Sequence, residues 1–291
     1  MRRAAAALFA TLALAGGAIA GVARADPAAR TPEKTAHSVF NPAPADQLRG
    51  LCTDRPTKST GPCTVDAGHW QVETDLYDTT IQTGGGVTTT QEIFADPTLK
   101  LGLTNSLDAE ISIAPYERLT VKDHGVSTRA GGVGDLYLRA KQNLLGRDGG
   151  DIAMAVSPFL KLPTAGHVLG DGAVEAGVIV PVQFNLPSNL QLLFDPELDL
   201  LENQAGDGRH LNTTGLISLS GPATKSVTLS AELWAAADYD PARTTTQVSA
   251  DFGAAYVPAS QPNLQFDAGV NAGLNKATPG VQAYVGLSRR F

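Results

Sequence analysis

The sequence predicts an all-β fold, a transmembrane antiparallel up-and-down β-barrel of about twelve strands, and three observations predict it. Short segments of strict period-two alternation recur from residue 69 to the end of the chain. The last of them sets Val281, Ala283, Val285 and Leu287 against Gln282, Tyr284, Gly286 and Ser288, and the chain stops on Phe291. The composition, with 30 Gly, 18 Pro and many Thr, Val, Asn and Asp, favours strands and turns over helices. Alternation of this kind is what a strand needs when one face meets apolar surroundings and the other polar ones.

The N-terminus comes first in chain order. Arg2 and Arg3 precede a short run rich in Ala, Leu and Phe, residues 4–20, and Ala23, Arg24 and Ala25 fit a small-x-small cleavage pattern. Residues 1–25 therefore read as a signal peptide removed on export. No later segment has the eighteen uninterrupted apolar residues of a membrane-spanning helix.

Residues 26–67 show no sustained periodicity and read as an irregular N-terminal extension or a segment that plugs the lumen. The only cysteines, Cys52 and Cys63, lie in it. In an exported chain they are expected to form a disulfide, which at this loop length stabilises by roughly 2–3 kcal/mol. A metal site is not expected, since His69 is the only further ligand at hand.

Residues 68–291 carry the strands. Trp70, Val72, Thr74 and Leu76 oppose Gln71, Glu73 and Asp75. Ile93, Ala95, Leu99, Leu101 and Leu103 oppose Glu92, Asp96, Thr98 and Lys100, with Pro97 interrupting. After a turn at Thr104, Asn105 and Ser106, Ala109, Ile111 and Ile113 oppose Asp108, Glu110 and Ser112. The stretch 117–132 is expected as an outer loop. Leu136, Leu138 and Ala140 then oppose Asp135, Tyr137, Arg139 and Lys141. Ile152, Met154 and Val156 continue through Phe159 to Leu162. Val174, Ala176, Val178, Val180, Val182 and Phe184 form the cleanest apolar row. Leu190, Leu192 and Phe194 oppose Gln191, Asp195 and Glu197, and a weaker strand covers about 211–219. Val227, Leu229, Ala231 and Leu233 oppose Thr228, Ser230 and Glu232. Val248, Ala250, Phe252 and Ala254 oppose Ser249 and Asp251, and Leu264, Phe266, Ala268 and Val270 oppose Gln265, Asp267 and Asn271. An even number near twelve suits a bacterial single-chain barrel.

A soluble, secreted β-sandwich is the competing reading, because alternating strands fit it too. Two features weigh against it: the apolar rows carry almost no charge, Arg289 being the exception, and the opposing rows mix acids, amides, bases and Tyr. A mean hydropathy near zero is compatible with a barrel whose strands each face water on one side. The lumen-lining candidates are Glu73, Asp75, Glu92, Asp96, Lys100, Asp108, Glu110, Asp135, Arg139, Lys141, Lys161, Glu175, Glu232, Asp251 and Asp267. Gly286 and Phe291 in the last strand are candidates for the signal read by the barrel-assembly machinery. The net charge of −7 gives no reason to expect nucleic acid as a partner.

Asp54-Arg55-Pro56-Thr57-Lys58-Ser59, followed by Pro62 and Thr64-Val65-Asp66-Ala67-Gly68-His69-Trp70-Gln71-Val72-Glu73, resembles the opening block of the phenol-degradation meta-pathway family. Gly134-Asp135-Leu136, Pro158-Phe159-Leu160-Lys161-Leu162-Pro163 and the Arg-Phe ending are similar to its later blocks. Cys63 stands where that family has an aromatic, and Arg289 departs from its apolar or aromatic residue. The resemblance implies an outer-membrane barrel linked to uptake of small hydrophobic or aromatic compounds; passive movement through a narrow, partly filled barrel is the expected mechanism.

No Gly-x-Ser-x-Gly elbow, His-Glu-x-x-His pair or phosphate-cradling loop is present. The chain is expected not to be an enzyme and to need no cofactor or metal; His210 with Ser218 or Ser220 is the one arrangement that resembles a catalytic pair. Outer-membrane lipid, the assembly machinery and a small-molecule substrate are the expected partners. A structural or ligand-binding barrel without transport is the alternative function.

Overall fold

A computed structural model describes residues 37–147 and 149–291, so the expected signal peptide lies outside the described residues. The strands are β1 (Trp70–Gly84), β2 (Val87–Ile93), β3 (Asp96–Thr104), β4 (Leu107–Ile113), β5 (Glu117–Asp123), β6 (Val126–Gly132), β7 (Leu136–Leu145), β8 (Ile152–Leu162), β9 (Glu175–Ile179) and β10 (Val182–Asn185). They continue as β11 (Gln191–Phe194), β12 (Glu197–Glu202), β13 (Arg209–Pro222), β14 (Val227–Asp238), β15 (Thr245–Tyr256), β16 (Leu264–Gly273) and β17 (Val281–Arg290).

All pair antiparallel in one sheet, and β1 pairs with β17 as well as with β2 and β3, which closes the sheet on itself. The pairs β2 with β3, β4 with β5, β6 with β7, β9 with β10 and β11 with β12 are each one spanning strand broken once, so the closed barrel has 12 strands. The breaks have local causes. Ala95 adopts a left-handed φ of 60° between β2 and β3. Pro115, Pro181 and Pro196 sit at three of the others, where a residue without an N–H cannot continue the ladder.

The two faces are inverted relative to a water-soluble fold. Outward positions hold Leu233, 59% exposed, and Phe252, 54% exposed, whereas the inward Lys141 and Asp251 are almost fully buried. A sandwich buries its apolar rows between sheets; here those rows cover the outside of a cylinder, and the sandwich reading falls.

One expected loop is a strand pair. Residues 117–132 form the hairpin of β5 and β6 around His124 and Gly125, in register with β2. Its polar, Gly-rich composition reads as a loop, and pairing with a neighbouring strand decides otherwise.

Candidate functional site

Residues 37–67 are irregular apart from a single turn at Ala45–Gln47, and their hydrogen bonds run to the inward side chains of the barrel. The segment is anchored at the end where the chain terminates. Val39 donates to the Leu103 carbonyl at 2.9 Å. The His69 ring contacts the carbonyl oxygens of Ala43 at 2.8 Å and Phe291 at 2.9 Å. Arg49 and Arg290 both pair with Asp66, at 2.8 and 2.9 Å.

Beyond this anchor Cys52 and Cys63 form the expected disulfide, with Cα atoms 6.4 Å apart. It closes the base of a loop, residues 53–62, whose charged groups meet opposite charges on the wall. The Asp54 carboxylate accepts from Lys100 at 2.5 Å and from Lys141 at 2.6 Å. Its backbone N–H donates to Glu73 at 3.0 Å, and Glu73 itself pairs with Lys100 at 2.7 Å. Arg55 forks between Asp75 at 2.6 Å and Asp267 at 2.7 Å. Lys58 donates to Ser249 at 2.8 Å, lies 3.3 Å from Asp251 and sits over the Trp234 ring at 4.3 Å. The N–H groups of Lys58 and Thr60 reach Glu232 and Asp195 at 3.2 and 2.7 Å.

Isolated buried charge is strongly disfavoured, so each of these ions holds its partner in place. Burial alone pushes the Asp54 carboxyl up, but the two ammonium groups overcome it and hold the acid well below the usual carboxylate range. Burial pulls the Lys58 ammonium down, opposed by the Asp251 charge.

Glycine makes room for the loop. A side chain at Gly253 would strike Pro56 and Thr57, and one at Gly286 would overlap the Arg55 guanidinium and the Thr74 carbonyl. Gly286, singled out for assembly, thus also has a packing reason to lack a side chain. A cavity of about 430 Å³ is left beside the loop, lined in part by Cys52, Cys63, Asn143 and Ser218.

The structure brings most of the expected lumen residues to the inward face. Glu73, Asp75, Lys100, Lys141, Glu232, Asp251 and Asp267 contact the loop directly. Asp108 accepts from the Val65 N–H at 3.0 Å, and Arg139 reaches Glu110 at 3.2 Å. Asp96 is in register with Asp75. Asp135, Lys161 and Glu175 gather elsewhere, with Lys161 2.7 Å from Glu175, 3.8 Å from Asp135 and also bonded to Asp171.

Glu92 is the correction. It faces outward, where it accepts from Tyr77 at 2.9 Å and pairs with Arg118 at 2.7 Å. The left-handed Ala95 shifts the parity, so that Ile93 rather than Glu92 shares the inward face with Asp96. Loop residues Asp54, Arg55 and Lys58 and the inward rings of Trp234 and Tyr284 were not among the candidates. The signal that could have found the loop cations is the acidic surplus of the wall, which needs counter-charge.

His210 lies 2.8 Å from Asp238. Ser218 is further along the same strand β13, at roughly 3.3 Å per residue, and the two are not brought together. Among the described residues no three His, Cys, Asp or Glu side chains converge as a metal-binding group.

A search of curated proteins found no match. Among solved structures the chain resembles an outer membrane channel from Pseudomonas putida F1, with a TM-score of 0.58 at 14% identity over 77% of this chain and 95% of that one. The NanC porin gives 0.48 at 10% identity over 76% and 98% of the two chains. The translocator domain of the autotransporter NalP from Neisseria meningitidis gives 0.46 at 16% over 80% and 90%. The first of these likenesses shows the fold, that of an outer-membrane barrel. The family described as "Putative MetA-pathway of phenol degradation" matches residues 53–291, from the base of the charged loop to the terminal Phe, and the chain belongs to that family.

Proposed function

We propose that this chain is a channel of the bacterial outer membrane for passive movement of small solutes, with residues 26–67 as its plug, residues 68–291 as its barrel and residues 1–25 as a cleaved export signal. The observation that carries the reading is the loop of residues 53–62, held by ion pairs inside a closed cylinder whose inner face is polar and outer face apolar. A cylinder of twelve strands is narrower than the large porins, so side chains and the plug decide what passes.

The wall carries more acids than bases, which favours cations over anions. Small hydrophobic or aromatic solutes are the substrate class that the family's description suggests, and the inward rings of Tyr137, Phe159 and Trp234 offer faces for them. Phe291, whose N–H bonds the Trp70 carbonyl at 2.8 Å, is the residue that we assign to recognition by the assembly machinery.

Planar-bilayer recordings on the full chain and on a variant lacking residues 37–67 test the reading. A larger, cation-selective conductance in the truncated barrel is expected. No conductance in either, or anion selectivity, overturns it. A barrel that never opens is the second reading, favoured by the number of ion pairs that hold the loop. Uptake of a radiolabelled aromatic by a deletion strain and its complemented parent separates the two.

A further inference from the structure

The outward face of β1, β2, β5 and β6 changes character along the barrel axis. Moving away from the chain termini, the apolar Val72 and Leu76 give way to a row of touching rings, with Tyr77 and Phe94 centroids 5.3 Å apart and Phe94 and Tyr116 5.8 Å apart. The Tyr77 hydroxyl donates to Glu92, and the Tyr116 hydroxyl lies over Gly131. Apolar ring bodies with their hydroxyls turned to a polar zone are the usual residents of a membrane–water boundary.

Directly beyond this row the same face carries Arg118, Lys122 and Arg129. Register places them together: Arg118 opposite Glu92, Thr120 opposite both Thr90 and Arg129, and Lys122 opposite Thr88. Glu92 occupies Arg118 and stacks it near Phe94. Lys122 and Arg129 are exposed, and neither makes an ion-pair contact among the described residues, although the Arg129 charge also reaches Glu92. On a chain of net charge −7, unpaired cations set among threonine hydroxyls at the level just past an aromatic boundary complement one kind of neighbour.

We propose that this face binds the phosphate-bearing saccharide headgroup of a lipid in the outer leaflet. Lys122 and Arg129 would neutralise phosphate, Arg118 would complete the cationic edge, and Thr88, Thr90 and Thr120 would meet sugar hydroxyls. Basic clusters at the membrane surface hold anionic lipids in this way. The inference rests on the outer-membrane reading above, with both chain ends on the inner side.

The test is native mass spectrometry of the full protein in detergent with a bisphosphorylated disaccharide glycolipid. Wild type is compared with Lys122→Gln/Arg129→Gln and with the control Lys225→Gln/Lys276→Gln, whose residues lie on connections elsewhere. Wild type and control are expected to retain the lipid, and the first double variant to bind it at least about tenfold more weakly. Equal binding by that variant, equal binding of the dephosphorylated glycolipid, or displacement by inorganic phosphate at matched concentration overturns the proposal. Fractionation separates the failures. Wild type recovered in the soluble fraction overturns the membrane reading and this one with it. A membrane-located barrel without lipid preference overturns this one alone.

Discussion

The Asp54 carboxylate lies 2.6 Å from the Lys141 ammonium, on a side chain that is almost wholly buried. Lys141 belongs to the barrel and Asp54 to the loop inside it, so this contact joins the two parts of the molecule. Lys100 shares the same carboxylate at 2.5 Å, and Glu73 and Glu110 take up part of the remaining positive charge. Removing Asp54 takes the shortest ion-pair contact from each of two buried ammonium groups and leaves Lys141 with Glu110, at 3.5 Å, as its nearest carboxylate among the described residues.

Asp54→Asn is therefore expected to weaken docking of the loop by about 3–5 kcal/mol, the usual effect of deleting one partner of a buried ion pair. The barrel itself is expected to stay folded, because its ladders do not involve the loop. Raised open probability in bilayer recordings, with an unchanged β-rich circular dichroism spectrum, checks the expectation. A closed channel in the variant counts against the latch.

Gly253→Val separates shape from charge. The three atoms nearest to a Cβ added there all belong to the loop, at Pro56 and Thr57, and no charge is altered. The loop is expected to be displaced and conductance to rise, while Ala254→Val, on the outward face one residue on, is expected to leave conductance unchanged. Cross-protection of residues 53–62 from protease in intact barrels gives a second readout: protection is lost in the Gly253 variant only.

The barrel was legible because its rows are long and one-sided: Val174, Ala176, Val178, Val180, Val182 and Phe184 face outward as one line, through the break at Pro181. Glu92 was misassigned because parity is counted along a continuous strand, and a positive φ at Ala95, a residue that seldom adopts it, leaves no mark in the hydrophobic pattern. The path of residues 37–67 was not legible at all. An irregular segment has no period to read, and its conformation is set by wall charges that are distant in sequence, from Asp75 to as far as Asp267 in the case of Arg55. What the sequence does hold is the complementarity: cations at Arg55 and Lys58 and an acid-rich wall.

The disulfide predicts a redox response. Cys52 and Cys63 are 11 residues apart, and closing a loop of that size restricts the undocked segment by roughly 2–3 kcal/mol. Cys52 is exposed to the cavity beside the loop, so a dithiol reductant added on the side of the chain termini has access to it. Reduction transfers two electrons to the disulfide and leaves two thiols. Conductance is expected to rise on reduction and to fall on reoxidation, and Cys52→Ser/Cys63→Ser is expected to start in the higher state and ignore the reductant.

Acid should release the loop, and the sign follows from Asp54. Its docked carboxyl titrates well below the usual range, held down by Lys100 and Lys141 against burial, whereas the undocked carboxyl titrates near its ordinary value of about 3.9. A depressed pKa contributes stability that is fully present above the undocked value and is lost as pH falls below it. Docking is thus expected to be insensitive to this group from neutral pH down to about 4, then to weaken by up to about tenfold per pH unit, one proton being taken up on release. Single-channel recordings stepped from pH 7 to pH 3 read this directly. Wild type is expected to open at the acid end, and Asp54→Asn, already unlatched and without the titrating group, is expected to lose that part of the response; an identical acid response in both would assign the release to other carboxylates of the wall.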